Sequence, residues 1–186
     1  MRPTWRPPVS PPDPAGLVPA VLAGGVVVVP TDTVYGLAAA LDRPAGVSAL
    51  YALKGRPRSQ ACQVLLYSAD ALARALAPLP PPIAAAARAL LPGPATCLVP
   101  DPAGRYAAAA GDTPGTVGLR VPRMPAAFDA VDVPLVATSA NEPGGPDPAR
   151  VVQVPARLRS GAAVVLDAGP LPGTASAVVD LRPLAD

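Results

Sequence analysis

The chain has 186 residues, of which 29 are proline and none is histidine; 51% are hydrophobic and the formal net charge is +2. That length suits a single domain with a proper core. The near-neutral charge gives no strong footprint for nucleic acid, and the missing histidine removes the usual zinc sites and the Ser-His-Asp triad.

Residues 1–13 are rich in proline and read as a flexible tail, followed by one domain over 14–186. The basic residues at the start are not followed by an apolar h-region, so no secretory signal is read, and the expected location is the cytoplasm. "AGLVPAVLAGG" predicts a short helix weakened by Pro19. "GVVVVP" predicts a strand covered on both faces, because its β-branched run does not alternate. The apolar stretch around it is too short to span a bilayer. In "PAGVSALYALKG", Val47, Leu50, Tyr51 and Lys54 fall at i, i+3, i+4 and i+7, with Pro44 at a start and Gly55 at a stop. This spacing predicts a helix ending at Lys54.

"QVLLYS" predicts a strand, "ADALARAL" a helix and "PPIAAAARALLPG" a second helix. "TCLVP" and "TVGLRVP" read as strands, "PAAFDAV" as a short helix and "PLVATSA" as a strand. "GAAVVLDAG" and "SAVVDLR" add two more strands. Helices and strands interleave, yet strands also follow one another directly. The pattern therefore predicts an α/β fold with a mixed sheet. Cys62 and Cys97 lie far apart and read as reduced, buried thiols.

Five polar segments stand out at strand ends: "PTDTVYG", "KGRPRSQ", "PGPAT", "GLRVP" and "ATSANEPGG". Ligands in open α/β sheets sit where such ends converge. Each segment also has a plain reading. Thr31 and Thr33 suit a turn cap, Arg56 and Arg58 a solvated pair, and Ser139 with Asn141 an ordinary turn. Lys54 is the only lysine among 15 basic residues. Either chance kept it, or the position needs a compact ammonium where a planar guanidinium does not fit. No Walker A, G-x-G-x-x-G, G-x-S-x-G or H-E-x-x-H pattern is present. Lysine, arginine, hydroxyls and one amide suit anionic substrates and phosphoryl or nucleotidyl transfer.

In order, "VVVVPTDTVYGLAA", "LYALKGRP", "LLPGPATCLVP", "VGLRVP", "PLVATSAN" and "ASAVVDL" resemble the YrdC-like family of threonylcarbamoyl-AMP synthases. The resemblance runs from about residue 17 to residue 182 and matches the short, single-domain form. It implies a twisted, open mixed sheet with flanking helices and a wide positively charged cavity. It implies an enzyme that joins L-threonine, bicarbonate or CO2, and ATP into threonylcarbamoyl-AMP, releasing pyrophosphate. Mg2+ would be carried by the nucleotide, with no tightly bound protein metal. A separate complex would pass the threonylcarbamoyl group to tRNA, and this chain would have at most weak tRNA or double-stranded RNA binding.

The family's K-x-R and S-x-N residues map onto Lys54, Arg56, Ser139 and Asn141. By similarity Thr31, Thr33 and Tyr35 contact threonine. Arg56, Thr96, Ser139 and Gln60 face the nucleotide, Arg120 holds a carboxylate or phosphate, and Ser176 borders the site. Asp32 reads as structural rather than as a metal ligand. The chain departs from the common pattern at Ala61, Cys62, Pro143 and Ala177, and Leu65 stands near the place of a histidine found in some members. These departures bear on amino-acid specificity. Two rival readings remain: a paralogue that binds RNA or nucleotide without synthase activity, and a carbamoyl-adenylate-forming relative.

Overall fold

The computed structural model describes residues 13–185. The expected tail lies outside the described residues except for Asp13, whose carboxylate accepts the amide of Ala15 at 2.9 Å and starts a 3-10 turn over Pro14–Gly16.

Eight strands form one mixed sheet: β1 (Val27–Val29), β2 (Gly36–Ala40), β3 (Gln63–Leu65), β4 (Ala95–Pro100), β5 (Thr116–Arg120), β6 (Leu135–Ser139), β7 (Val164–Val165) and β8 (Ala177–Asp180). Their order across the sheet is β7-β1-β2-β6-β3-β5-β4-β8. The pairs β1–β7, β3–β5 and β4–β8 are parallel, and the others are antiparallel. The helices are α1 (Leu17–Leu22), α2 (Pro44–Lys54), α3 (Ala69–Leu76), α4 (Pro81–Leu90), α5 (Ala107–Ala110) and α6 (Ala156–Ser160). No helix among the described residues is long and apolar enough to cross a membrane.

The period of two along each strand divides the sheet into two unlike faces. One face carries Val28, Leu37, Val64, Cys97, Leu119 and Val136, and it is covered by the apolar sides of α2, α3 and α4. The opposite face is covered over half its width only. There Leu17 and Val21 of α1, with Phe128 from the 3-10 turn Ala126–Ala130, pack on Val27, Val29, Leu65 and Leu135. Leu65 and Leu135 are essentially fully buried, and truncating either to alanine would cost about 2–5 kcal/mol. The rest of this face, where Gly36, Gln63, Thr96, Gly118 and Ser139 stand, floors a cleft.

Local sequence accounts for the boundaries. Pro44 opens α2 where its missing N–H is not needed, and Gly55 ends it in the left-handed region at φ 69°. Ser68 caps α3 by accepting the amide of Ala71 at 2.9 Å. Pro19 does not break α1, because it sits in the first turn, where the amide would have no partner. The short helix expected at "PAAFDAV" is a 3-10 helix over Ala126–Ala130. Gly36–Ala40 is a strand that the sequence does not announce. Its alanines are weak strand formers, and pairing with β1 and β6 overrides that preference.

Because β7 and β8 are the two edges of the sheet, the segment joining them crosses the whole molecule. This strap passes beside the cleft. Leu171 donates its amide to Ala149 O at 2.8 Å and Gly173 to Thr33 O at 2.9 Å, and Ala175 and Ser176 form a wall of the cleft.

Candidate active site

The cleft encloses about 430 Å³. Its floor is deep because Gly36, Gly118 and Ala137 carry little or no side chain at the centre of the sheet. Thr31, Thr33, Arg56, Thr96, Arg120, Ser139 and Ser176 all line it. A second recess of about 260 Å³ adjoins it, lined by Lys54, Gln60, Asn141 and Pro143, with Arg56 and Ser139 shared between the two. All five polar segments thus meet on one side of the sheet.

Thr31 organises the first loop. Its hydroxyl donates to Val34 O at 2.7 Å and accepts the amides of Thr33 and Val34, each at 3.1 Å. With its proton committed, Thr31 can only accept from the Thr33 hydroxyl 2.9 Å away. Thr33 therefore offers oxygen lone pairs, not a proton, to the cleft.

Lys54 is buried at the end of α2. Its ammonium donates to Ser139 O at 2.7 Å, to Asn141 O at 2.5 Å and to the side-chain oxygen of Asn141. All three hydrogens are thereby engaged, which a planar guanidinium could not reproduce at one point. Burial, then repulsion from Arg56, pushes its pKa from the ordinary 10.5 down to about 8. Ser139 Oγ donates to Asn141 Oδ1 at 2.7 Å, and Asn141 Nδ2 donates to Gly145 O at 2.7 Å. The 139–141 loop is thus clamped from three directions.

Arg56 differs. One end of its guanidinium donates to Ala61 O at 2.6 Å, yet its Nε is buried without a hydrogen-bond partner. A buried, unpaired donor on a cation is costly, and an anion would satisfy it. It sits where the two recesses meet.

Arg120, only 1% exposed, pairs with Asp32 and also donates to the carbonyls of Gly93 and Ala95. Burial lowers its pKa while Asp32 opposes the shift. Asp32 also accepts the amide of Arg123 at 3.1 Å. Arg120 therefore props the cleft wall as well as lining it.

Tyr35 is not brought to the cleft. It is fully buried, and its phenol donates to Gly169 O at 2.8 Å and accepts the amide of Ala168 at 2.8 Å. Leu65 lies in the core under Phe128, not in the cleft. Ala61 and Cys62 line the cleft, and Pro143 lines the smaller recess. Cys62 and Cys97 are both buried free thiols. Gln63, absent from the sequence candidates, stands at the centre of the floor and accepts the hydroxyl of Thr96 at 2.9 Å. A polar residue opening a strand of otherwise apolar residues was the available signal.

Against known proteins, the model of the Sua5/YciO/YrdC family, described as "Telomere recombination", matches residues 20–185. A Mycobacterium tuberculosis relative is 38% identical over 167 residues, covering 88% of this chain and 76% of its own. The threonylcarbamoyl-AMP synthase of Halorhodospira halophila is 40% identical over 134 residues, covering 69% of this chain and 68% of its own. The crystal structure of P. abyssi Sua5 complexed with L-threonine superposes with a TM-score of 0.75 at 28% identity over 89% of this chain. The chain spans about half the length of that Sua5 chain, 49%.

Proposed function

The chain belongs to the Sua5/YciO/YrdC family, and from that premise we propose that it is an L-threonylcarbamoyladenylate synthase. In this reading it consumes L-threonine, bicarbonate or CO2, and ATP, and its product serves tRNA threonylcarbamoyladenosine modification through a separate transfer complex. The observation that carries the reading is Arg56: a cation with a buried, unpartnered Nε at the junction of two recesses.

The chemistry follows from charge. The threonine amine adds to CO2, losing a proton, and gives an N-carboxylate. An oxygen of that carboxylate attacks the α-phosphorus of ATP, forming one P–O bond while the bond to the pyrophosphate oxygen breaks. Both reactants are anions and must be held in line against their repulsion. Arg56 meets the phosphates and presents its unpaired Nε–H to them. Lys54 acts through the 139–141 loop, holding Ser139 at the boundary of the two recesses. Thr33, Thr96 and Ser176 present hydroxyl oxygens to the threonine and the nucleoside, and Thr31 holds the loop that carries Thr33. Asp32 is committed to Arg120, and no group of three or more acidic, cysteine or histidine residues is placed for a metal among the described residues. In this reading a Mg2+ ion travels on the nucleotide's phosphates and screens their charge.

The test is incubation with ATP, bicarbonate and threonine, reading pyrophosphate and the adenylate. Release should require all three reactants and no tRNA. Release unchanged without threonine, or seen only with tRNA, overturns the reading.

A further inference from the structure

We propose that Gln63 is a specificity-determining residue of the cleft, whose carboxamide donates hydrogen bonds to the carboxylate of the amino-acid substrate. The inference rests on the synthase reading and deepens it.

The first observation is positional. Gln63 on β3 pairs with Gly118 on β5, and β4 lies beyond β5. A side chain on β3 ordinarily stops at its neighbour strand. Here the neighbour has no side chain, so the Gln63 arm crosses over β5 and its Oε1 accepts the Thr96 hydroxyl on β4 at 2.9 Å. A Cβ on Gly118 would come within a tight 3.1 Å of Thr96 Cγ2, and 3.9 Å from Gln63 Cα.

The second observation is proton bookkeeping. Thr96 has one hydroxyl proton, and it goes to Gln63 Oε1. The contact of 2.9 Å between Thr96 and Ser176 hydroxyls must then run from Ser176 to Thr96. With the amide oxygen turned to Thr96, the chain runs in one direction, from Ser176 to Thr96 to Gln63. The other end, Nε2, has no partner among the described residues, and the side chain lines the cleft.

The third is what surrounds that end. Thr33 offers lone pairs, and Arg120 is already neutralised by Asp32. Arg56 and Ser139 stand at the junction with the smaller recess, where phosphates would lie. On the cleft floor Nε2 is therefore a free donor that matches an oxygen of a small carboxylate. A neutral donor also discriminates, because a ligand lacking the matching acceptor leaves it unpaired.

The experiment measures threonine and ATP binding by calorimetry, and the KM for each in pyrophosphate release, for wild type, Gln63→Leu and Gln63→Glu. Gln63→Leu keeps volume and should weaken threonine by about tenfold, with ATP unchanged. Gln63→Glu keeps the acceptor for Thr96, so a purely structural role predicts wild-type behaviour. Recognition predicts that the Glu variant is the worse of the two, since it replaces donors by a repelling carboxylate. Threonine binding unaltered in Gln63→Leu, an unimpaired Gln63→Glu, or a loss confined to ATP each overturns the assignment while leaving the synthase reading intact. Wild-type protein that binds ATP but no threonine sinks the synthase reading, and this inference with it.

Discussion

Lys54 and Asn141 are joined twice: the ammonium of one donates to both the backbone and the side-chain oxygen of the other. Adding Ser139 O, three oxygens converge on one nitrogen. Lys54→Arg keeps the charge but spreads its donors over a plane. Pyrophosphate release should fall at least about tenfold, equivalent to ~1.4 kcal/mol of transition-state stabilisation. Wild-type turnover in this variant would mean that charge alone suffices there.

The same group sets a pH dependence with opposite signs in two assays. Its pKa is depressed from 10.5 to about 8. Above about pH 8 the folded chain loses this proton and with it one arm of the clamp, so activity should decline. Between about 8 and 10.5 the unfolded chain still binds the proton, so the unfolded state holds more protons and folding stability rises with pH. Buried Cys62, Cys97 and Tyr35, whose pKa values are raised, pull the other way in this range, so the contribution of Lys54 is read as a difference: by chemical denaturation from pH 7 to 10.5, the stability of wild type relative to Lys54→Met should rise. Parallel curves for the two proteins would refute the shift.

Asn141→Ala removes the side-chain acceptor of Lys54 and the donor to Gly145 O. Leaving a buried cation short of a partner should cost about 1–3 kcal/mol, measured as a lower urea midpoint at unchanged slope. Adenylate formation should fall in the folded variant as well. A variant of lowered stability but full specific activity would make the loop structural only.

Much of this site is legible in the sequence, and the misses have physical causes. The helix ending at Lys54 shows in the spacing of Val47, Leu50 and Tyr51, and "ADALARAL" carries its own cap in Ser68. β2 does not show, because Gly36–Ala40 has no β-branched residue and exists through its two neighbours. Tyr35 sits among polar cleft residues in sequence, but its ring turns away to residues 167–169. Gln63 needs the register with Gly118 before its reach is visible, and register is not written in any one segment.

Asp32→Asn leaves Arg120 buried and uncompensated. Breaking such a pair from one side should destabilise by about 3–5 kcal/mol, read by thermal or urea unfolding. The double change Asp32→Asn with Arg120→Met should recover part of that loss. No recovery would show that the carbonyls of Gly93 and Ala95 matter more to Arg120 than its carboxylate.

The strap between β7 and β8 gives Tyr35 a part in the site that no contact with ligand would reveal. Its phenol rivets the start of the strap at Gly169, while Gly173 is fastened to Thr33 farther along. Ser176 follows directly, so the wall that orients Thr96 and Gln63 hangs from a tyrosine on the far side of the loop. Tyr35→Phe leaves every cleft-lining residue in place and every strand paired. What it slackens is the cord that holds one side of the cleft against the other, so a change in the hydrophobic interior would be felt as looser grip on a small molecule.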